Sequence, residues 1–137
     1  MRDWESFNAD VIAEFRSNSG VVARFGGLPL VVVHTVGART GTVREVPLIP
    51  VVDDGRMLLF GTAEGAAVDP AWCFNLRAHP VVEVEHATER FTAEVVELDD
   101  AEAAAIVGRR AEATPQLADY VARAAPRTIP VFEIRPR

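Results

Sequence analysis

The chain has 137 residues, of which 49% are hydrophobic and 25% are charged, and its formal net charge is -6 at pH 7. This length and composition are typical of one folded domain with one hydrophobic core, and they argue against disorder. The acidic balance argues against nucleic-acid binding, which needs a basic surface, and the single cysteine, Cys73, excludes an intrachain disulfide.

The N-terminal stretch, residues 1–19, has an apolar stripe at helical spacing: Trp4, Phe7, Val11, Ile12 and Phe15. Acidic residues lie off this stripe, so the pattern predicts an amphipathic helix. The simpler interpretation is a helix that covers a sheet. The alternative is a mobile arm that closes over a substrate or touches lipid.

Residues 28–48 read LPLVVVHTVGARTGTVREVPL. The β-branched run predicts a strand, a turn bracketed by Gly37 and Gly41, and a returning strand. Arg39 and Arg44 could together hold a phosphate or a carboxylate. The alternative is that both arginines are solvated hairpin residues.

The remaining elements alternate with turn residues. Pro47 and Pro50 bend the second strand or place it at an edge. Further predicted elements, in chain order, are a strand over 56–62, a helix AWCFNLRA started by Asp69-Pro70, a hairpin over 81–98, helices over 99–112 and 115–124, and a strand over 129–135. Asp69 is able to cap the first of these helices, and Asp99-Asp100 caps the second. About six strands, mostly joined by hairpins, predict an α+β fold or a β-barrel with peripheral helices.

Few residues suggest chemistry directly. We expect no metal site, because His34, His79 and His86 are not paired at metal-ligand spacing. Trp72 and Asn75 are three apart on one predicted helix, and hence near one face. Trp72 is either a core residue or a platform for a ligand, and the amide of Asn75 favours a polar pocket beside it.

Three motifs in order carry a resemblance: T-x-G-x-R-T-G-x-x-R-x-x-P-L at 35–48, G-T-x-x-G at 61–65 and D-P-x-W-x-x-N-L at 69–76. With R-T-I-P-V at 127–131, they resemble the deazaflavin-dependent nitroreductase family. These are small split-β-barrel oxidoreductases that use coenzyme F420, related in fold to FMN-binding proteins. The resemblance, from about residue 8 to the end, implies a single domain over 1–137 with a six-stranded, mostly antiparallel split barrel over 28–137.

The resemblance also implies roles for particular residues. The residues expected to hold the phosphate and acidic tail of coenzyme F420 are Arg39, Thr40, Arg44 and Pro47. Those expected to wrap its phosphate and deazaflavin ring are Thr62, Gly65, Trp72 and Asn75. Tyr120, the only tyrosine, would orient or protonate the acceptor, and its alternative role is to pack on the barrel.

The chain also departs from the family pattern. Ala63, followed by Glu64, stands where relatives often carry a lysine, and His34 stands where a threonine is common. An acid beside a polyanionic tail should weaken binding.

The implied activity is transfer of a hydride from C5 of the reduced deazaflavin to a small-molecule quinone, enone or nitro acceptor. Two alternatives stay open: an FMN-binding split-barrel oxidoreductase, and a non-catalytic F420-binding or carrier protein. We expect a cytoplasmic protein, because a single cysteine fits a reducing compartment and the N-terminal residues have acids where a signal peptide would have a basic region. No apolar run approaches the roughly 20 residues of a membrane helix, and loose membrane association stays an open alternative. Monomer and homodimer are both compatible with the sequence.

Overall fold

A computed structural model describes residues 4–137, except for the side chain of Trp4. The helices of this part are α1 (Trp4–Ser17), α2 (Ala71–Ala78), α3 (Asp100–Ala113) and α4 (Pro115–Ala124). The strands are β1 (Val31–Val36), β2 (Val43–Leu48), β3 (Val51–Asp53), β4 (Arg56–Phe60), β5 (Val81–His86), β6 (Glu89–Glu97) and β7 (Val131–Pro136). Short 3₁₀ turns lie at Ala23–Phe25 and Ala63–Gly65.

The strands form one antiparallel sheet in the order β2-β1-β5-β6-β7-β4-β3. The edge strands β2 and β3 are consecutive in the chain, joined only through Ile49 and Pro50. Because three peptide steps reach at most about 11 Å, the sheet must curl until its two edges come close together. This geometry is the split barrel that the resemblance implied.

The sheet has seven strands, whereas we expected six. The sequence was interpreted as one proline-interrupted strand from 42 to 52, and the structure divides this segment into β2 and β3 on opposite edges. The prediction that prolines place this segment at an edge is confirmed, since Pro47 lies on edge strand β2 and Pro50 in the connection.

Side chains alternate between the inside and the outside of the curled sheet. Val31 and Val33 point into the barrel core with Phe132 and Ile134 of β7, as the period of a strand requires. Their neighbours point outward, where two separate layers cover them. Helices α3 and α4 cover a cluster around Leu58 and Val131, and α1 covers Leu30 and Val32.

Helix α1 covers the sheet, as its simpler interpretation predicted. Val11, Ile12 and Phe15 are buried against the outer face of β1, while the predicted contribution of Trp4 lies outside the described side chains. The stripe at helical spacing therefore packs the helix onto the barrel.

The C-terminal end of α1 is held by charge. The Arg16 guanidinium donates to Glu85 Oε2 at 2.6 Å and to Glu45, and the Nε2 atom of His34 lies 2.7 Å from Glu85 Oε2. His34, Glu45 and Glu85 are close enough to offer ligand atoms to a metal ion, but Arg16 already bridges both carboxylates. We therefore interpret this group as the clasp that fixes α1.

Acid should loosen this clasp. The bond from Arg16, with a smaller effect of His34, lowers the pKa of Glu85 from 4.5 to about 2. Because this folded-state pKa lies below the unfolded one, the stability it provides is present above about pH 4.5 and lost as the pH falls toward 2. We expect Glu85→Gln to lower Tm at pH 7 and to flatten the fall of Tm below pH 4.5, followed by circular dichroism. Glu89→Gln, a change at an exposed glutamate of β6, is the control, and equal slopes in the two variants would contradict this role.

Candidate functional site

The turn between β1 and β2 is closed by its own backbone. The Gly37 N–H donates to Thr42 O at 2.8 Å, and the Gly41 N–H donates to Gly37 O at 2.9 Å. Gly41 has a φ of +71°, but Gly37 does not have a positive φ, so the expectation of left-handed glycines at both ends holds only for Gly41. A Cβ atom on Gly37 would lie 2.7 Å from Thr40 Oγ1, so glycine is needed there for space.

Two clefts adjoin helix α2. One has a volume of about 410 Å³ and the other, larger one about 630 Å³. The larger, called the first cleft, is formed by the β1–β2 turn and one face of α2. Its lining residues are Gly37, Ala38, Arg39, Thr40, Arg44, Ala71, Phe74 and Asn75. Four of the predicted cofactor residues, Arg39, Thr40, Arg44 and Asn75, are therefore brought together here.

Asn75 connects α2 to the turn. Its Oδ1 atom accepts a hydrogen bond from the Ala38 N–H at 3.0 Å, so the amide holds the backbone beside Arg39 in place. Ala71 and Phe74 lie on the same helical face, at the spacing that places side chains together. They give the first cleft an apolar wall opposite its charged rim.

The charge of the first cleft comes from two arginines without acidic partners. The chain has no lysine, and ten of the thirteen arginines within residues 4–137 have a carboxylate oxygen within 4.0 Å. Of the three others, Arg137 is the last residue, and Arg39 and Arg44 line the first cleft. In a protein of net charge -6, two guanidinium groups that line one cleft and have no acidic partner within residues 4–137 form a candidate anion site.

A partly buried arginine that sequence reasoning did not single out, Arg127, fixes the Gly61–Ala66 loop. Arg127 Nη1 donates to Asp69 Oδ1 at 2.7 Å and to Gly61 O at 3.0 Å. The same guanidinium donates to Thr62 O at 2.8 Å and to Ala66 O at 2.9 Å. The only signal in the sequence was its place in R-T-I-P-V.

We expected Asp69 to cap α2, but it does not. The N-cap position is Pro70, without a side-chain cap, and the Asp69 carboxylate instead accepts from Arg127 and from Arg77 Nη2 at 2.9 Å. Two guanidinium groups are stronger partners for a carboxylate than helix N–H groups. The cap predicted for α3 is confirmed, since Asp99 Oδ1 accepts from the Glu102 N–H at 2.8 Å.

Thr62 and Gly65 lie in the loop that Arg127 holds, and neither lines the first cleft. Gly65 is buried with a φ of +83°, and a Cβ atom there would lie 3.0 Å from Tyr120 O. The loop therefore packs directly on α4, which carries the half-buried Tyr120. Ala63 and Glu64 also have positive φ values, which is strained backbone for residues other than glycine.

Trp72 and Pro47 are not brought to the first cleft. Trp72 is only 8% exposed and lies in the barrel core, with its ring 5.5 Å from that of Phe132. Although residues three apart lie near one face of a helix, Trp72 packs in the barrel core while Asn75 lines the first cleft. Pro47 is an odd number of residues from Arg44 on β2, and its ring therefore lies on the opposite face of the sheet.

This fold and site define a split β-barrel protein with a candidate anion-binding cleft. Residues 8–136 match the family model described as F420H(2)-dependent quinone reductase, and the chain belongs to that family. The resemblance drawn from the motifs is thereby confirmed, and the family name agrees with the expected cofactor, coenzyme F420. No helix in the described part of the chain is long and apolar enough to cross a membrane.

Individual relatives agree with the family. An F420H(2)-dependent quinone reductase of Mycobacterium tuberculosis is 33% identical over 66 residues, which are 48% of this chain and 44% of that protein. The match thus spans less than half the length of this curated relative. A structure of an F420-H2 dependent reductase, FDR-A, has a TM-score of 0.64 and 31% identity, covering 78% of this chain and 94% of that one. A second solved structure, described only as a domain-swapped dimer, has a TM-score of 0.65 and 29% identity, covering 97% of this chain and 98% of that one.

Proposed function

We propose that this protein is an F420-dependent reductase that passes a hydride to a small quinone-type acceptor. The observation that carries the proposal is the pair of unpaired arginines, Arg39 and Arg44, at the rim of the first cleft. Coenzyme F420 has a phosphate and a glutamyl tail, and guanidinium forks suit both groups. Family membership supports the same cofactor.

The residues present fit this cofactor by their chemistry. Arg39 and Arg44 would bind the anionic tail, Thr40 offers a hydroxyl beside them, and Ala71 and Phe74 provide an apolar wall for a ring. When bound, the reduced cofactor supplies a hydride, and a quinone that takes up this hydride and one proton from water becomes a hydroquinone. The protein contributes binding, orientation and exclusion of water.

A titration tests the cofactor. We expect coenzyme F420 to change its fluorescence saturably on binding, and FMN and nicotinamide nucleotides to bind at least tenfold more weakly. Tighter binding of FMN would replace the proposal with the FMN-binding alternative.

A second experiment tests turnover. Addition of menadione to the complex of protein and reduced cofactor should oxidise the cofactor. Binding without oxidation by menadione, an enone or a nitroaromatic would leave a carrier protein.

Asn75→Asp tests the wall that α2 contributes. The change keeps the acceptor for the Ala38 N–H and adds a negative charge to the first cleft, so the fold should survive. We expect cofactor binding to weaken by about 1 kcal/mol, roughly fivefold, and the loss to shrink with added salt. Asn18→Asp makes the same change at an exposed site after α1 and should leave the Kd unaltered. If Asn75→Asp binds the cofactor as tightly as Asn18→Asp does, α2 is not part of the cofactor site.

We also propose a homodimer. A structure 29% identical to this chain is described as a domain-swapped dimer. Val43 is exposed at the start of edge strand β2, Ile49 is exposed directly after its end, and Leu28 is exposed before β1. Exposed apolar residues along an unpaired edge are typical of association surfaces. Sedimentation velocity at micromolar concentration should give twice the mass of the chain, and the mass of one chain would contradict the proposal.

A further inference from the structure

A second cleft, of about 410 Å³, shares Phe74 with the first. The Phe74 ring is 46% exposed, and the Arg77 guanidinium lies over it, 5.4 Å from its centroid. The 65% exposed Val68, with Ile129 and Pro130, adds apolar surface to the same cleft. This volume is within the range of small-molecule sites.

The second cleft has the opposite electrostatic character to the first. Three carboxylates line it, Asp69, Glu97 and Asp100, against two arginines. Both arginines are already committed. Arg77 forms two hydrogen bonds of 2.8 Å to Glu97 and one to Asp69, and Arg127 is bound by Asp69 and three carbonyl oxygens. The same bonds neutralise Asp69 and Glu97, so Asp100 is the lining carboxylate without an arginine partner among residues 4–137, and an anion would find no unpaired cation of that range in the second cleft.

We infer that the second cleft binds the hydride acceptor and that its charge selects neutral acceptors over anionic ones. The inference rests on the proposed function, because it needs the cofactor in the first cleft. Hydride transfer requires donor and acceptor atoms in direct contact, about 3–3.5 Å apart. The two cavities adjoin at the exposed Phe74 side chain, the one lining residue that they share, so an acceptor in the second cleft would reach the cofactor past the edge of that ring.

The ligand class follows from the lining. A planar, uncharged quinone ring can lie on Phe74 and Val68, while the unpaired Asp100 at the rim disfavours sulfonated or carboxylated quinones. Reduction of the neutral quinone consumes one hydride from the reduced cofactor and one proton from water, and it yields a neutral hydroquinone. Neither substrate nor product then carries a charge past the rim. The same difference in charge between the two clefts keeps the anionic tail of the cofactor in the first cleft.

A blocking variant tests the location. Val68→Trp should fill the second cleft, since this exposed side chain supports no buried core. We expect kcat/KM for menadione to fall at least tenfold while the Kd for coenzyme F420 changes less than twofold. Val52→Trp, at a 55% exposed valine of edge strand β3, is the matched control and should keep wild-type turnover. Normal turnover in Val68→Trp overturns the inference alone, as does a loss of cofactor binding in that variant. Failure of wild type to bind the cofactor or to reduce any quinone overturns the proposed function and this inference with it.

A second comparison tests the charge selection. The measured quantity is the ratio of kcat/KM for 1,4-naphthoquinone to that for its 2-sulfonate at low salt. Asp100→Asn removes one carboxylate of the rim and should lower this ratio about two- to fivefold, with a smaller effect in 0.5 M salt. Glu112→Gln removes an exposed carboxylate at the other end of α3 and should leave the ratio as in wild type. An unaltered ratio in Asp100→Asn, or the same decrease in both variants, overturns the selection of neutral acceptors.

Discussion

Replacing Arg127 with methionine is expected to destabilise the protein by about 3 kcal/mol, toward the lower end of the range for breaking a buried ion pair. The Arg127 side chain is 11% exposed and donates to Asp69 and to the carbonyl oxygens of Gly61, Thr62 and Ala66. Methionine keeps an unbranched apolar stem in place of that of arginine but leaves these acceptors without their donor. Asp69 keeps its bond to Arg77, which is why we expect about 3 kcal/mol and no more. Urea denaturation measures the change, and Tm should fall by roughly 10 °C.

Arg123→Met is the matched control. Arg123 forms an exposed ion pair with Asp119 one turn away on α4, and such pairs contribute less than about 1 kcal/mol. Arg127→Lys should be intermediate, because a lysine keeps the charge but lacks the guanidinium fork that reaches several acceptors at once. If Arg127→Met is no less stable than Arg123→Met, the loop is held by other contacts and our account of Arg127 is wrong.

Local signals in the sequence predict the elements of this fold well. Helix α4 runs from Pro115 to Ala124 and α3 begins after Asp99, both as predicted, because caps and prolines act within one turn. The division of the 42–52 segment was missed. Prolines show where a strand is interrupted, but the placement of β2 and β3 on opposite edges depends on the closure of the whole sheet, which no local pattern encodes.

The candidate site, like the fold, was predicted from the sequence only in part. Arg39, Thr40, Arg44 and Asn75 converge because three of them belong to one turn motif, and the fourth lies on the helix that packs beside it. The helical pattern could not decide whether Trp72 faces the core or the cleft, because it lies at the border between two faces. Arg127 was missed because its partners are 58 to 66 residues away in the chain.

The largest effect on binding is expected from the two unpaired arginines. Arg39→Ala and Arg44→Ala should each weaken binding of coenzyme F420 by about 1.5–3 kcal/mol, the range for hydrogen bonds to charged groups. This corresponds to a roughly 10- to 150-fold rise in Kd. Stability should hardly change, because neither guanidinium has an acidic partner in the described residues 4–137. The bond that buried Thr35 donates goes to the Arg44 carbonyl, which alanine keeps.

The double variant separates a shared anion site from two independent contacts. If both arginines grip one anionic group, the loss in Arg39→Ala/Arg44→Ala should differ from the sum of the single losses by at least 0.5 kcal/mol. Salt should weaken binding to wild type far more than to the double variant, since the screened attraction is gone. Arg90→Ala removes an exposed arginine on β6 and should bind as wild type does. A double variant that binds the cofactor with unaltered Kd would show that the first cleft is not the anion site, and an Arg44→Ala protein that unfolds early yet binds normally would make that arginine structural.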